Sequence, residues 1–346
     1  MDKYRTQITR CLAGLGLVVA VLMIAGPERV NPWLSAILGL EAPALVPEMP
    51  VPRAEEVSSR VLDGIREDGI RKLMDQFTQV GSRVVGYPGH EKAADFIESE
   101  FRRLGLEDVE AETYGVAVPM DQGGHLTVQE TGEAFVIHGV WPNLVKTSTL
   151  PTGGVRGHLL YGGDGDVSAL NGHKVEGSVV LMEFNSWNNW LNAAMLGAQQ
   201  IVFIEPDSTF TAQAETKFVQ VPNGIERFWI DKESGAKLKA LLAQKGEVNV
   251  ELKARMDWEK PETRNILGWI RGTDPVLRDK IVVINAYYDA MSVVPALAPG
   301  AEMACGIVGL MKLAEYFSKY QPKHTLLFLA SSGHHIGFRG ICDFLG

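Results

Sequence analysis

The chain has 346 residues, of which 46% are hydrophobic and 22% are charged, so it has ample material for the cores of two ordinary domains. Its formal net charge is −9 at pH 7, and no basic patch stands out. This argues against a nucleic-acid partner, because such proteins must neutralise phosphates. The three cysteines, Cys11, Cys305 and Cys342, exclude a disulfide-rich scaffold.

The first 26 residues predict a signal anchor. Basic residues within the first ten positions precede the apolar run Cys11 to Gly26, which ends at Pro27. The run is short for a membrane span and slightly long for a signal-peptide core, and Met23 disfavours cleavage after Gly26. We favour an uncleaved anchor over a cleaved signal peptide or a buried soluble helix. The positive-inside rule then places the body on the extracytoplasmic side, periplasmic or extracellular.

A stiff linker is predicted for residues 27–55, which contain six prolines. Residues 56–145 follow as the first part of a globular domain, with helical periodicity on both sides of a Gly- and Pro-rich loop. Arg83 and His90 lie in this loop, and we interpret them as loop residues without a special role. The second helix ends at Gly105.

Residues 146–254 have a different pattern, in which short apolar strands are set between glycines. This change predicts a β-rich insertion. His158 and His173 are isolated loop residues there, and we assign them no special role. Residues 255–346 return to the pattern of the first part and begin with a predicted strand, Asn265 to Ile270.

The strongest pattern in the chain is a βαβ unit near its end. The apolar run Ile281 to Ala286 predicts a strand that is buried on both faces. Cys305 to Tyr320 has helical periodicity, with Lys312 on the polar face, and we expect Cys305 to pack at the helix start. Thr325 to Ala330 predicts a second buried strand. Ligands of open α/β sheets bind at the carboxyl ends of such strands.

Three polar clusters follow these elements: Tyr287-Tyr288-Asp289, Pro299-Gly300-Ala301-Glu302 and Gly333-His334-His335. Their order and spacing resemble the two-zinc aminopeptidase family, whose relatives include glutamate carboxypeptidase II and the transferrin receptor. The resemblance implies a doubly wound mixed α/β sheet. It also implies that the carboxyl-terminal part, with two further metal ligands, lies beyond Gly346.

The resemblance extends to the rest of the globular chain. The segment SRVVGYPGHEKAADFIESEFRRLGLEDVEAETY is similar to the opening segment of the family, namely a loop with an arginine, a helix and an edge strand. The segments NGHKVEGSVVLM and AAMLGAQQIVFI resemble the protease-associated domain that many of these peptidases carry as an insertion. We therefore expect residues 146–254 to be such a domain.

At the site, the order and spacing of the family's motifs are kept, but several of their residues differ. Tyr287 stands where the family has a zinc-binding histidine, and Asp289 stands where an aspartate orients that histidine. Glu302 takes the place of the bridging aspartate. His334 and His335 replace a Glu-Glu pair, in which the first residue is the general base and the second a zinc ligand.

These substitutions leave three interpretations of the site open. The chain has no catalytic metal site, or it holds a single metal on Asp289, Glu302 and His335, or it is a hydrolase with altered ligands and His334 as the base. Tyr287 is a poor zinc ligand because a phenol must lose a proton to bind well. We therefore expect one zinc ion at most.

Two classes of function follow. The first is a membrane-anchored, peptidase-like ectodomain without peptidase activity, which binds a peptide or protein ligand or acts as a scaffold. The second is an active metal-dependent peptidase whose site is completed by residues beyond this chain.

Overall fold

The structure is a computed structural model, and it describes residues 65–218 and 223–346. The predicted signal anchor (residues 1–26) and linker (residues 27–55) lie outside the described residues. In the described part, no helix combines the length and the apolar character that a membrane crossing needs.

The described residues form eight α-helices and eleven β-strands. The helices are α1 (Glu67–Thr78), α2 (Pro88–Arg103), α3 (Val167–Leu170), α4 (Trp190–Met195), α5 (Thr211–Glu215), α6 (Lys232–Lys245), α7 (Ala304–Lys319) and α8 (Arg339–Leu345). The strands are β1 (Glu107–Gly115), β2 (Val118–Val128), β3 (Ala134–Gly139), β4 (Val155–Tyr161), β5 (Val179–Glu183), β6 (Gln200–Ile204), β7 (Glu226–Ile230), β8 (Val248–Glu259), β9 (Glu262–Ile270), β10 (Ile281–Tyr287) and β11 (Thr325–Ser331).

One sheet contains four strands in the order β1-β9-β11-β10. β10 and β11 are parallel, whereas β9 pairs antiparallel with both β11 and β1, so the sheet is mixed. Apolar residues of α1, α2 and α7 share a core with one face of this sheet. On the opposite face, Ile341 and Phe344 of α8 pack against the second apolar row of β9 and β11. The predicted mixed α/β class, with helices on both faces, is therefore confirmed.

Helix α2 begins earlier than the sequence predicted. Pro88 occupies its first turn, where the missing N–H group costs nothing, and Gly105 with a φ of +77° follows its end. His90 is therefore a helical residue, and its side chain is completely buried. The interpretation of His90 as an ordinary loop residue was wrong.

The strands β11 and β10 differ in burial. Every residue of β11 is buried, as predicted. The expectation that Ile281 to Ala286 is buried on both faces was wrong, because Ile281, Val282 and Val283 are 55%, 44% and 48% exposed. Among the described residues β10 is the last strand of its sheet, with a neighbour on one side only.

The apolar face of helix α7 is buried as predicted, but two other residues of the helix differ from the prediction. Ile307, Leu310 and Met311 are buried as expected. Lys312, which was predicted on the polar face, is only 7% exposed, because it lies against α1 at Gly69 and pairs with Glu315 through a 2.5 Å Nζ–Oε2 contact. Cys305 is exposed, so the expected packing role at the helix start was wrong.

The other seven strands form a closed barrel in the order β2-β3-β7-β6-β5-β4-β8. β4, β5, β6 and β7 are parallel to one another, and β8 pairs antiparallel with both β4 and β2. The predicted insertion, residues 146–254, lies within the segment that builds this barrel. The barrel also includes β2 and β3, which precede residue 146. In the described chain no barrel strand pairs with a strand of the four-stranded sheet.

Candidate functional site

The candidate site lies at the carboxyl ends of β10 and β11. These strands are parallel and in register, with Tyr287 opposite Ser331, so the loops that follow them leave the sheet side by side. Asp289 follows β10, and His334 and His335 follow β11. The structure therefore brings the first and third predicted clusters together, as expected from the βαβ unit.

Asp289 connects the two loops. Its carboxylate is 1% exposed, and it accepts a hydrogen bond from the backbone N–H of His334, with N–O distances of 3.1 and 3.3 Å. Burial raises the pKa of Asp289 to about 7, although these backbone hydrogen bonds act in the opposite direction. The carboxyl group therefore titrates near neutrality.

Arg83 lies beneath the same loops and is completely buried. Its Nη2 donates to the carbonyl of Gly300 at 2.9 Å, while its backbone bonds to Ala298 and Ala290. Nε and Nη1 are buried without a protein partner. Burial lowers the pKa of Arg83 to about 10, and the charge of Asp289 opposes that shift. The interpretation of Arg83 as an ordinary loop residue was wrong, since it joins three loops of the site.

A signal for Arg83 was present in the sequence. Arg83 is a charged residue that directly precedes the apolar pair Val84-Val85 in a glycine-rich loop, so it lies where the chain enters the hydrophobic core. Such a side chain must be buried with a partner or reach solvent.

Four rings form a compact cluster at the surface of the site. The rings of Tyr287 and His334 are stacked, with centroids 3.9 Å apart and an interplanar angle of 12°. His335 contacts both rings edge-on, with centroids 5.3 Å from Tyr287 and 5.0 Å from His334. Phe338 packs edge-on against His334 at 4.8 Å and is 57% exposed. The four rings give the site an aromatic surface.

Glu302 is placed differently from Asp289. Its loop packs onto the site, because Gly300 lies against Ala290 and the sulfur of Met303 accepts from the N–H of Met291 at 3.2 Å. The side chain of Glu302 itself is exposed. The three predicted loops therefore lie together, while the carboxylates of Glu302 and Asp289 are in different environments.

A buried polar network anchors the carboxyl end of β11 to helix α2. Ser332 Oγ lies 2.8 Å from His90 Nε2 and also accepts from Thr263 Oγ1 at 2.8 Å. His90 Nδ1 lies 3.2 Å from Glu91, which pairs with Arg264 at 2.7 Å. The order of hydroxyl, imidazole and carboxylate is that of a hydrolase triad. Ser332 is 1% exposed, however, so the network holds the β11 loop in place and does not meet a substrate.

Comparison with known proteins identifies the fold. No protein-family model matches the chain. A zinc aminopeptidase from Bacillus subtilis has a similar structure, with a TM-score of 0.55 and 20% sequence identity, over 80% of this chain and 64% of that chain. A peptidase M28 precursor from Shewanella amazonensis has a TM-score of 0.54 and 14% identity, over 84% of this chain and 69% of that chain. The chain has the zinc-aminopeptidase fold.

A local sequence similarity has also been found. A vacuolar membrane protease from Vanderwaltozyma polyspora is 36% identical over 83 residues, which is 24% of this chain and 8% of that protein. The chain thus spans about two-thirds of the Bacillus subtilis enzyme and a small part of the vacuolar protein. The similarity to the two solved structures shows the zinc-aminopeptidase fold.

The described side chains do not fit the two-zinc centre implied by the fold. A catalytic zinc takes three protein ligands. Residues 65–218 and 223–346 contain no group of three or more His, Cys, Asp or Glu side chains that could hold a metal ion. The side chains of Asp289, Glu302 and His335 are not gathered into such a group among the described residues, and the single-metal site stays a prediction.

The imidazole groups of both histidines have a lowered pKa. Burial lowers the pKa of His334, and burial together with the charge of His334 lowers the pKa of His335. His335 Nε2 is buried without a protein partner. A lowered pKa makes His334 a weaker proton acceptor than a free imidazole, and its role as a general base stays a prediction.

Proposed function

We propose that this protein is a membrane-anchored ectodomain with the zinc-aminopeptidase fold, which binds a peptide or protein ligand and does not hydrolyse it through a two-zinc centre. The anchor is the predicted segment of residues 1–26. The proposal rests on two features: the fold, and the different residues that this chain has at the ligand and base positions of the two-zinc aminopeptidases.

The observation that carries the proposal is the stack of Tyr287 on His334. A two-metal hydrolase needs several imidazole and carboxylate ligands that converge on the metal pair. Here the first ligand position is a phenol ring, and this ring lies parallel to the imidazole at the base position with 3.9 Å between centroids. A phenol at a ligand position and an imidazole at the base position thus pack face to face.

The same arrangement supports ligand binding. The partly exposed rings of Tyr287, His334 and Phe338 offer an apolar surface with polar edges, which suits peptide side chains. Below them, the network of His90 and Ser332 keeps the loops fixed, together with the hydrogen bonds of buried Arg83 to Gly300 and of buried Asp289 to His334. A rigid surface of this kind binds without losing much conformational entropy.

An active peptidase is the second candidate. It is favoured by the local similarity to a vacuolar membrane protease and by the solved zinc aminopeptidases with the same fold. In that case residues outside this chain supply ligands, and the site rearranges around the metal.

Metal analysis and activity assays on the same preparation separate the two candidates. We expect less than one zinc ion per chain by mass spectrometry, no release of amino acids from aminopeptidase substrates, and identical zinc content in His335→Ala and the control His173→Ala. Two zinc ions per chain, with turnover that is lost in Glu302→Ala, would establish the active peptidase. One zinc ion that is lost only in His335→Ala would establish the single-metal site.

Ligand binding is tested with a library of dye-labelled peptides. We expect binding that persists in a chelator and weakens in Tyr287→Ala. Binding that a chelator abolishes would contradict the proposal, since a metal would then be part of the site.

The membrane topology is tested by protease treatment of intact cells or spheroplasts. We expect digestion of the body of the protein from outside. Complete protection, with digestion only after lysis, would contradict the proposed anchor topology.

A further inference from the structure

The barrel has a second set of parallel strand ends. β4, β5 and β6 are parallel neighbours, and the loops at their carboxyl ends are residues 162–166, 184–189 and 205–210. Asn185, in the loop after β5, donates to the carbonyl of Ser208 in the loop after β6 at 2.8 Å. Asn192, in the helix α4 that follows the loop after β5, donates to the carbonyl of Gly165 in the loop after β4 at 3.0 Å. The three loops therefore form one connected surface.

Trp187, in the middle loop, has an unusual backbone. Its φ is +45°, in the left-handed region that bulky side chains rarely adopt. Its side chain is 50% exposed. The strained conformation is therefore not compensated by complete burial of the indole ring.

Two buried side chains hold this conformation. The backbone N–H of Trp187 donates to Gln213 Oε1 at 2.9 Å, and its carbonyl accepts from Lys217 Nζ at 2.8 Å. Gln213 is 3% exposed and Lys217 is completely buried. Both backbone polar groups of this strained residue are thus held by buried side chains.

The indole ring is paired with a second exposed aromatic ring. Phe210, from the neighbouring loop, is 56% exposed, and its ring centroid lies 5.6 Å from that of Trp187 at an interplanar angle of 67°. A fixed pair of exposed aromatic rings is typical of binding surfaces, where aromatic side chains supply much of the binding energy. Strained backbone is also concentrated at such sites.

The charge of the three loops indicates the type of partner. They contain four carboxylates, Asp164, Asp166, Glu205 and Asp207, and no lysine, arginine or histidine. All four residues are exposed. Lys232, the first residue of α6, pairs with Asp207, and the remaining three carboxylates leave the surface negative. Aromatic rings beside carboxylates attract guanidinium and ammonium groups through cation–π and ionic contacts.

We propose that Trp187 and Phe210 form a docking site for a basic peptide segment. Arginine or lysine side chains of the segment stack on the two rings, and their charges are matched by the carboxylates of the three loops. This site uses barrel residues only and does not depend on the proposed function of the cluster around Tyr287.

The test is binding of a dye-labelled hexa-arginine peptide to the full 346-residue chain, followed by fluorescence anisotropy. We expect Trp187→Ala and Phe210→Ala to weaken binding at least tenfold. The matched control is Trp258→Ala, which removes another exposed indole ring of the barrel and should not change the affinity. Hexa-glutamate should not bind, and added salt should weaken hexa-arginine binding.

A second variant keeps the test independent of folding defects. Trp187→Gly removes the ring and also relieves the left-handed backbone, so we expect a higher melting temperature together with lost binding. Equal affinity for wild type, Trp187→Ala and Trp258→Ala would overturn the proposal, because the peptide would then bind through charge alone. Trp187-dependent binding to phosphatidylcholine vesicles, without binding to hexa-arginine, would assign the ring pair to a membrane surface and also overturn it.

Discussion

The ring of Tyr287 lies parallel to the imidazole of His334, with 3.9 Å between their centroids. This pair joins the carboxyl ends of two parallel strands, and Asp289 joins the same two loops through the backbone N–H of His334. Tyr287 thus has a structural role at the junction of the two loops.

Replacing Tyr287 tests that role. We expect Tyr287→Ala to lower the free energy of unfolding by about 1 kcal/mol, the usual worth of an aromatic pair, while Tyr287→Phe keeps the stack and the stability. The pKa of His334, measured by NMR, should rise in Tyr287→Ala, because less burial means less desolvation of the charged form. An unchanged pKa of His334 would show that the phenol ring does not cover it. Tyr320→Ala, which removes a half-exposed ring elsewhere, is the control.

Asp289 makes stability depend on pH. Its pKa rises from 3.8 to about 7 on folding, so between these values the folded state holds a proton that the unfolded state has lost. Stability therefore decreases as pH increases through this window, and the loss is complete above pH 7. We expect Asp289→Asn to stabilise the protein by up to about 4 kcal/mol at pH 8 and to have little effect below pH 4. Denaturant unfolding at several pH values measures this, and a pH-independent difference would contradict it.

Lys217 has the opposite dependence. Burial, and then the charge of Arg227, lowers its pKa from 10.5 to about 7, so below pH 7 the folded state contains a buried charge without a carboxylate partner among the described residues. This buried charge lowers the free energy of unfolding. The penalty decreases as the pH rises from 7 to 10.5, because in this range only the unfolded state holds the proton. We expect Lys217→Met to stabilise by about 1–4 kcal/mol at pH 6 and to lose this gain near pH 10.

The control for this prediction is Lys239→Met. The ammonium of Lys239 pairs with Glu183 at 2.6 Å, and this hydrogen bond raises the pKa of Lys239. Its replacement should therefore not stabilise the protein at any pH. A gain of the same size in both variants would mean that loss of positive charge, and not burial, is the cause.

His90 is tested by substitutions that separate stacking from hydrogen bonding. Its imidazole stacks on Tyr288 with centroids 5.0 Å apart and also bonds to Ser332. We expect His90→Phe to keep the stack but to cost about 1–3 kcal/mol, because the hydroxyl groups of Ser332 and Thr263 lose a buried partner. Hydrogen exchange of the His334 amide should accelerate in this variant. No acceleration would show that the network does not hold the β11 loop.

Local patterns predicted the elements of the site well but not their surroundings. The strand at Thr325, the helix after Cys305 and the loops at Asp289 and His334 follow from periodicity and from the geometry of a βαβ unit. The apolar residues Ile281 to Val283 indicate a strand equally well whether or not another element covers it. Only the tertiary structure shows that they are exposed.

The features that the sequence did not predict arise from contacts between residues that are far apart in the sequence. His90 and Ser332 are separated by 242 positions, and no local pattern indicates that they meet. Helical periodicity places Lys312 on the polar face of α7. It is buried because α1 packs against α7 at Gly69. The left-handed backbone of Trp187 has no signal either, since glycine, asparagine or aspartate is the usual residue there.

The exposed edge strand β10 has a practical consequence for work with this chain. A long apolar edge offers backbone N–H and C=O groups to any other chain in solution, and natural proteins usually protect such edges with charges or proline. Ile281, Val282 and Val283 present their apolar side chains without such protection in the described structure. Solutions of the 346-residue chain should therefore aggregate by edge-to-edge pairing as concentration increases, and a lysine in place of Val282 should delay that aggregation.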